Sequence, residues 1–187
     1  MEELNDYSGE FVRGLRYQDF SKDMMAKIIR EFGRLYELID GIWMSTVTEA
    51  RGVEEAWKYE MEVWKKIPRH VLGGIKKIAN IEGDDVATAL KCIQLDPCFT
   101  GELYHYDLYF KGKNDALMVI YRCPSLLYFE KALPDMVAPL CQDLEVKAFL
   151  DYAHYFNPKM ETRPLKLPPR KDANDVPVCI WQFIIPE

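Results

Sequence analysis

No stretch of this sequence approaches the roughly 20 consecutive apolar residues that a bilayer span needs, and Met1 is followed by the polar and acidic Glu2, Glu3, Asn5 and Asp6. Neither a membrane helix nor a signal peptide is expected, and the chain reads as cytoplasmic. An excess of positive charge is missing too: 24 Lys and Arg face 30 Asp and Glu, for a net charge of −6. That balance offers phosphate backbones and anionic lipid no general attraction, which argues against nucleic acid and membrane as partners. Histidine is scarce. His70, His105 and His154 are far apart and share no motif, so a histidine-rich metal site is not expected and each reads as a packing or surface residue. The sequence also lacks a P-loop, a G-x-G-x-x-G turn, a G-x-S-x-G elbow, an H-E-x-x-H pair and a C-x-x-C pair. Nucleotide, serine-hydrolase, zincin and thioredoxin readings lose their usual support.

What is present is enough apolar material for a sizeable core, 49% of 187 residues, with 13% aromatic. The length suits a single domain over residues 1–187, made of an arm over 1–20, a helical part over 21–96 and an α+β part over 100–187. Ser21 is a fitting N-cap for a long amphipathic helix. Its apolar stripe is Met25, Ile28, Ile29, Phe32, Leu35, Tyr36, Ile39, Ile42 and Trp43, with Lys27, Arg30, Glu31, Arg34 and Glu37 on the other side. Gly52 stops it, and Val53, Ala56, Trp57, Glu60, Val63, Trp64 and Ile67 carry a second helix to Pro68, with a kinked extension through Val71, Ile75 and Ile78. Asp84 or Asp85 caps a third helix that Pro97 ends.

From Leu103 the period changes to two. Residues 103–110 and Ala116 to Arg122 form a hairpin around Gly112. Pro124 opens a short helix and Pro134 a longer one running to Phe156. A Pro-rich, basic segment with Lys166, Arg170 and Lys171 then leads to a last strand over Val178 to Ile185. The fold class is α+β: a helical N-terminal half packed with a small antiparallel sheet, two hairpin-like pairs separated by helices.

Five cysteines, an odd number, occupy positions 92, 98, 123, 141 and 179. Without an export signal they read as free thiols or thiolate ligands. Cys123 at a strand-to-helix junction, Cys141 in the long helix and Cys179 on the last strand sit on elements that an α+β layer can bring to one point. Helix geometry selects a fourth member. Glu145 lies about 40° round the helix from Cys141, whereas Asp143 lies about 160° away. Three thiolates and one carboxylate suit a four-coordinate zinc or iron site. Two other readings stand beside it. The face of Cys179, Trp181 and Phe183 is also what plain core looks like, and Cys123, beside Arg122 at a helix start, has two features that lower a thiol pKa. Cys92 and Cys98 read as bystanders.

Arg122-Cys123-Pro124, Cys141-Gln142-Asp143 and Cys179-Ile180-Trp181-Gln182-Phe183 resemble the C-terminal half of the L-2-amino-thiazoline-4-carboxylate hydrolase-like family. The segments 4–11, 19–22 and 165–170 resemble a related prokaryotic family of unknown function over nearly the whole chain. The closing cysteine and aromatic strand is similar to vinyl-reductase-type ligand-binding domains, in which cysteines and a glutamate bind zinc beside a hydrophobic pocket. That likeness implies Cys141 and Cys179 as ligands, with Cys123 and Glu145 next, although the Pro-rich stretch before Cys179 lacks the extra cysteine and glycines of that domain. Three functions follow as expectations. One is a small-molecule or metal-binding domain whose pocket is walled by Tyr104, Tyr106, Tyr121, Trp181 and Phe183. Another is a hydrolase of a small cyclic amide- or thiazoline-like compound, with Cys123 as nucleophile or with metal-activated water. The third is an interaction module whose long helix pairs with its counterpart in a homodimer.

Overall fold

In the computed structural model, which describes residues 3–99 and 103–186, the arm is fastened to the start of the first helix. Leu4 N–H donates to Asp19 O at 2.8 Å and Ser21 N–H to Leu4 O at 2.9 Å. Residues 100–102 and 187, the ends of the expected α+β part, lie outside the described residues. Ser21 then caps α1 (Lys22–Arg51), its Oγ accepting from Met24 N–H. Gly52 ends α1 at a φ of 87°, a conformation that costs a residue with a Cβ but not glycine. The chain thereby folds back into α2 (Val53–Trp64), which packs along α1.

Pro68 does not end a helix. It sits in the first turn of α3 (Ile67–Ala79), where its missing N–H has no partner to lose. Asp85, not Asp84, caps α4 (Val86–Ile93) by accepting from Thr88 N–H at 2.8 Å. The hairpin is β1 (His105–Gly112) and β2 (Asp115–Arg122). Next comes α5 (Pro124–Ala132), with Cys123 as N-cap. The stretch expected as one helix from Pro134 is broken into a 3-10 turn over Pro134–Met136, a π-helical turn over Pro139–Leu144 and α6 (Glu145–Phe156). The Pro-rich segment hides a strand, β3 (Glu161–Lys166), before β4 (Cys179–Ile184).

The four strands are antiparallel throughout, in the order β1-β2-β4-β3. The two expected pairs are therefore joined through β2 and β4 into one sheet. β3 is at an edge, which is where a strand tolerates Pro164. In register, Ala116 faces Phe183, Met118 faces Trp181 and Ile120 faces Cys179. These six are buried against Leu72, Leu90, Phe149 and Tyr152 from the helical layer. Phe149 packs on Trp181 with ring centroids 4.5 Å apart and edge-on to Phe183 at 5.7 Å. The basic loop after β3 is neutralised locally: the Arg170 guanidinium clasps Glu130 of α5, and Lys166 pairs with Asp175.

The long helix departs most from its expected phase. Gly33, Glu37, Asp40 and Met44 point inward, within about 60° of arc at 100° per residue. Ile29, Phe32, Ile39 and Ile42, counted in the apolar stripe, are half or more exposed. Glu37, expected on the solvent side, faces the interior. No helix among the described residues is long and apolar enough to cross a membrane.

Candidate functional site

A cavity of about 100 Å³ lies between α1, α2 and the start of α6 on one side and the Cys123–Cys179 end of the sheet on the other. The register explains why the cysteines meet there. Cys179 opens β4 opposite Ile120, and Cys123 follows β2 only three residues later. The π-helical turn carries Cys141 over the same strand ends, and Glu145 begins α6 one turn further on. Cys123, Cys141, Glu145 and Cys179 all line the cavity, together with Tyr104 and Trp181. They lie near enough to act on one another, since Cys141 feels the charge of Glu145, Cys123 and Cys179.

The other expected wall residues lie elsewhere. Phe183 is fully buried in the core against Phe149. Tyr106 packs edge-on to Phe99, and Tyr121 is on the outer face of the hairpin, with its ring on His105 and its hydroxyl 3.3 Å from that of Tyr109. Side-chain alternation separates Tyr121 from Met118 and Ile120, which face the core. In place of these three, the walls are completed by Trp57, Trp64, Phe99, Phe129, Phe149 and Tyr152. Cys98, expected as a bystander, also lines the cavity, whereas Cys92 is plain core.

The five cysteines are free. Burial pushes the Cys123 thiol up to about 12, although it sits at a helix start and its sulfur accepts from Leu126 N–H at 3.4 Å. Desolvation of a thiolate outweighs one backbone donor and the dipole of a single short helix. Cys141 and Cys179 are raised further, by burial first and then by Glu145 or Cys123. At neutral pH this wall consists of thiols, not thiolates. Among the described residues no group of three or more His, Cys, Asp or Glu side chains is arranged to hold a metal ion.

A second polar group was not legible as a site. Glu37 and Asp40 from α1, Glu60 from α2 and Glu145 from α6 bring four carboxyls into the same cavity. Glu37 Oε2 accepts from Ser125 Oγ at 3.2 Å, and that hydroxyl lies 3.1 Å from the Tyr104 hydroxyl. Glu60 Oε1 accepts from Trp64 Nε1 at 2.7 Å. Burial is the first cause of the high pKa of all four. Glu37, Glu60 and Glu145 are each raised to about 7, with neighbouring carboxyls adding repulsion. Among the described residues none that lines the cavity is Lys, Arg or His. Beyond the wall, Asp96 is fully buried, accepting from the Tyr152 hydroxyl at 2.7 Å and from Cys98 N–H at 2.9 Å. One signal for this group was available: Glu60 occupies an apolar position in the helical spacing of α2.

A family model matches residues 18–185. The chain belongs to DUF6125, a family of unknown function. No curated protein and no solved structure matches. Of the expected likenesses, the one to a family of unknown function is met by DUF6125, whose match begins after segment 4–11. The likeness to the hydrolase-like and vinyl-reductase-type families rests on the quoted residues alone.

Proposed function

We propose that this DUF6125 chain binds a small organic molecule in the cavity between α1, α2, α6 and the sheet. The observation that carries the reading is a space walled by aromatic rings into which four carboxyls and four thiols converge. Core packing alone does not require buried carboxyls, and each costs free energy to desolvate. A cavity of about 100 Å³ is smaller than the roughly 150 Å³ dry cavity that accepts benzene, which limits the occupant to a short chain or, where side chains of the wall give way, a single ring. Titration with benzyl alcohol, followed by the fluorescence of Trp57, Trp64 and Trp181 in the wall, tests it. Saturable binding that Ala148→Phe abolishes supports the reading; no binding to the folded wild type refutes it.

Three further readings attach to the same molecule. Cys123, Cys141, Glu145 and Cys179 share one wall, which favours zinc or iron as a cofactor if the thiols shed their protons and close on an ion. Elemental analysis of the purified chain, with and without Cys141→Ser and Cys179→Ser, decides this, and a metal-free wild type removes it. With the same residues a hydrolase of a small cyclic amide- or thiazoline-like compound would use Glu145 as general base, its carboxyl near 7 being suited to that task. A turnover screen that includes Cys123→Ala and Glu145→Gln separates catalysis from binding. The exposed Ile29, Phe32, Ile39 and Ile42 of α1 favour a homodimer through that helix. Light scattering that returns a monomer would exclude it.

A further inference from the structure

Among the described residues the four carboxyls have no cationic partner, and one fully buried oxygen among them has no hydrogen-bond partner. Glu60 is 5% exposed, its Oε1 is fixed by Trp64 Nε1, and its Oε2 is buried with no hydrogen-bond partner. The group standing against it is the Asp40 carboxyl, which accepts a hydrogen bond from Glu60 only while Glu60 keeps its proton, a contact that raises Glu60 and lowers Asp40. Once Glu60 ionises, its buried Oε2 is left without a donor, so the ionised corner calls for a donor that the chain itself does not provide. The charges acting on the lining groups are acidic apart from Lys166, which acts on Cys179 at the opposite wall and is already paired with Asp175.

We infer that the corner formed by Asp40, Glu60 and the indoles of Trp57 and Trp64 receives the positively charged head of a small organic amine. The inference rests on the cavity being a ligand site and names the ligand's chemical class. An ammonium group supplies charge-assisted N–H donors to Glu60 Oε2 and to Asp40. A metal ion is the poorer occupant, because the described carboxyls and thiols form no ligand set around one point, whereas an ammonium needs no fixed coordination shell. Glu37, hydrogen-bonded to Ser125, and Glu145 add negative potential from α1 and α6 as they ionise, at about pH 7. The thiols of Cys98, Cys123, Cys141 and Cys179 and the phenols of Tyr104 and Tyr152 remain neutral around it.

Calorimetric titration of the full chain with benzylamine, benzyl alcohol and benzoate, which share a ring and differ in charge, tests the inference. Wild type is compared with Glu60→Gln and Asp40→Asn. Benzylamine is expected to bind about 10- to 100-fold more tightly than benzyl alcohol, the range of a hydrogen bond to a charged group, and benzoate most weakly. Either substitution should reduce the amine's advantage over benzyl alcohol at least several-fold. Equal binding of amine and alcohol, an advantage that survives both substitutions, or displacement of benzylamine by zinc or calcium overturns the inference while the cavity reading stands. Failure of all three molecules to bind overturns both.

Discussion

Replacing Glu145 with Gln should make the protein more resistant to unfolding at alkaline pH and leave it nearly unchanged in acid. The Glu145 carboxyl, raised by burial and then by Glu37 and Asp40, ionises at about 7 in the folded chain against 4.5 for an unperturbed glutamate. Between those two values the native state keeps a proton that the unfolded state has released. Stability contributed by the carboxyl is therefore fully present below about pH 4.5 and is lost as pH rises towards 7. At about 1.4 kcal/mol per pH unit of difference the full effect is roughly 3 kcal/mol, and water entering the cavity brings it nearer 2 kcal/mol. Gln keeps the size of the side chain and cannot ionise. Urea unfolding of wild type and Glu145→Gln at about pH 5 and pH 8 should show the variant gaining roughly 2 kcal/mol on wild type between the two conditions. Parallel pH dependence in the two proteins would refute the argument, because it would mean that Glu145 is solvated enough to ionise normally in the folded state.

Tyr152→Phe removes the 2.7 Å donor to the fully buried Asp96 and should cost about 1–3 kcal/mol in urea unfolding; a neutral result would show that another donor reaches Asp96 Oδ2. Trp181→Ala, at a residue 1% exposed and packed at a tilt on Phe149, should cost about 3–5 kcal/mol and lower Tm accordingly. In the folded protein at about pH 8 the Cys123 thiol, with its pKa pushed to about 12, should react with a disulfide reagent about 100- to 1,000-fold more slowly than a free thiol. All five cysteines should react promptly in denaturant. A fast phase in the native protein that Cys123→Ala removes would show a thiolate at the head of α5.

The cysteine wall was legible because its positions hang on boundaries that a sequence displays well. Cys123 falls between an alternating run and Pro124, and Cys179 opens a second alternating run. Each residue's place in the layer follows once strands and helix are assigned. The tyrosine walls were less legible, because alternation gives two faces and does not say which one is covered. Tyr121 fell on the outer one. The carboxyl group could not be found by the usual rule that the apolar stripe of a helix marks its buried side. On α1 that rule misleads: Glu37 and Asp40 point inward beside Met44, while Ile29, Phe32, Ile39 and Ile42 look outward.

A helix arranged this way leaves two unmet demands, acidic groups lacking a counter-charge on the inside and apolar side chains lacking cover on the outside. The proposed amine answers the first and the proposed homodimer the second, so both readings converge on α1. They remain separable in experiment because the faces are distinct: on α1 at 100° per residue, the inward group spans about 60° and the exposed group about 140°. Ile39→Glu, at a side chain 67% exposed, should therefore change association and not amine affinity, whereas Glu60→Gln should do the reverse. If Ile39→Glu weakened both, dimer formation and the cavity would be coupled through α1, and the pair of proposals would reduce to one.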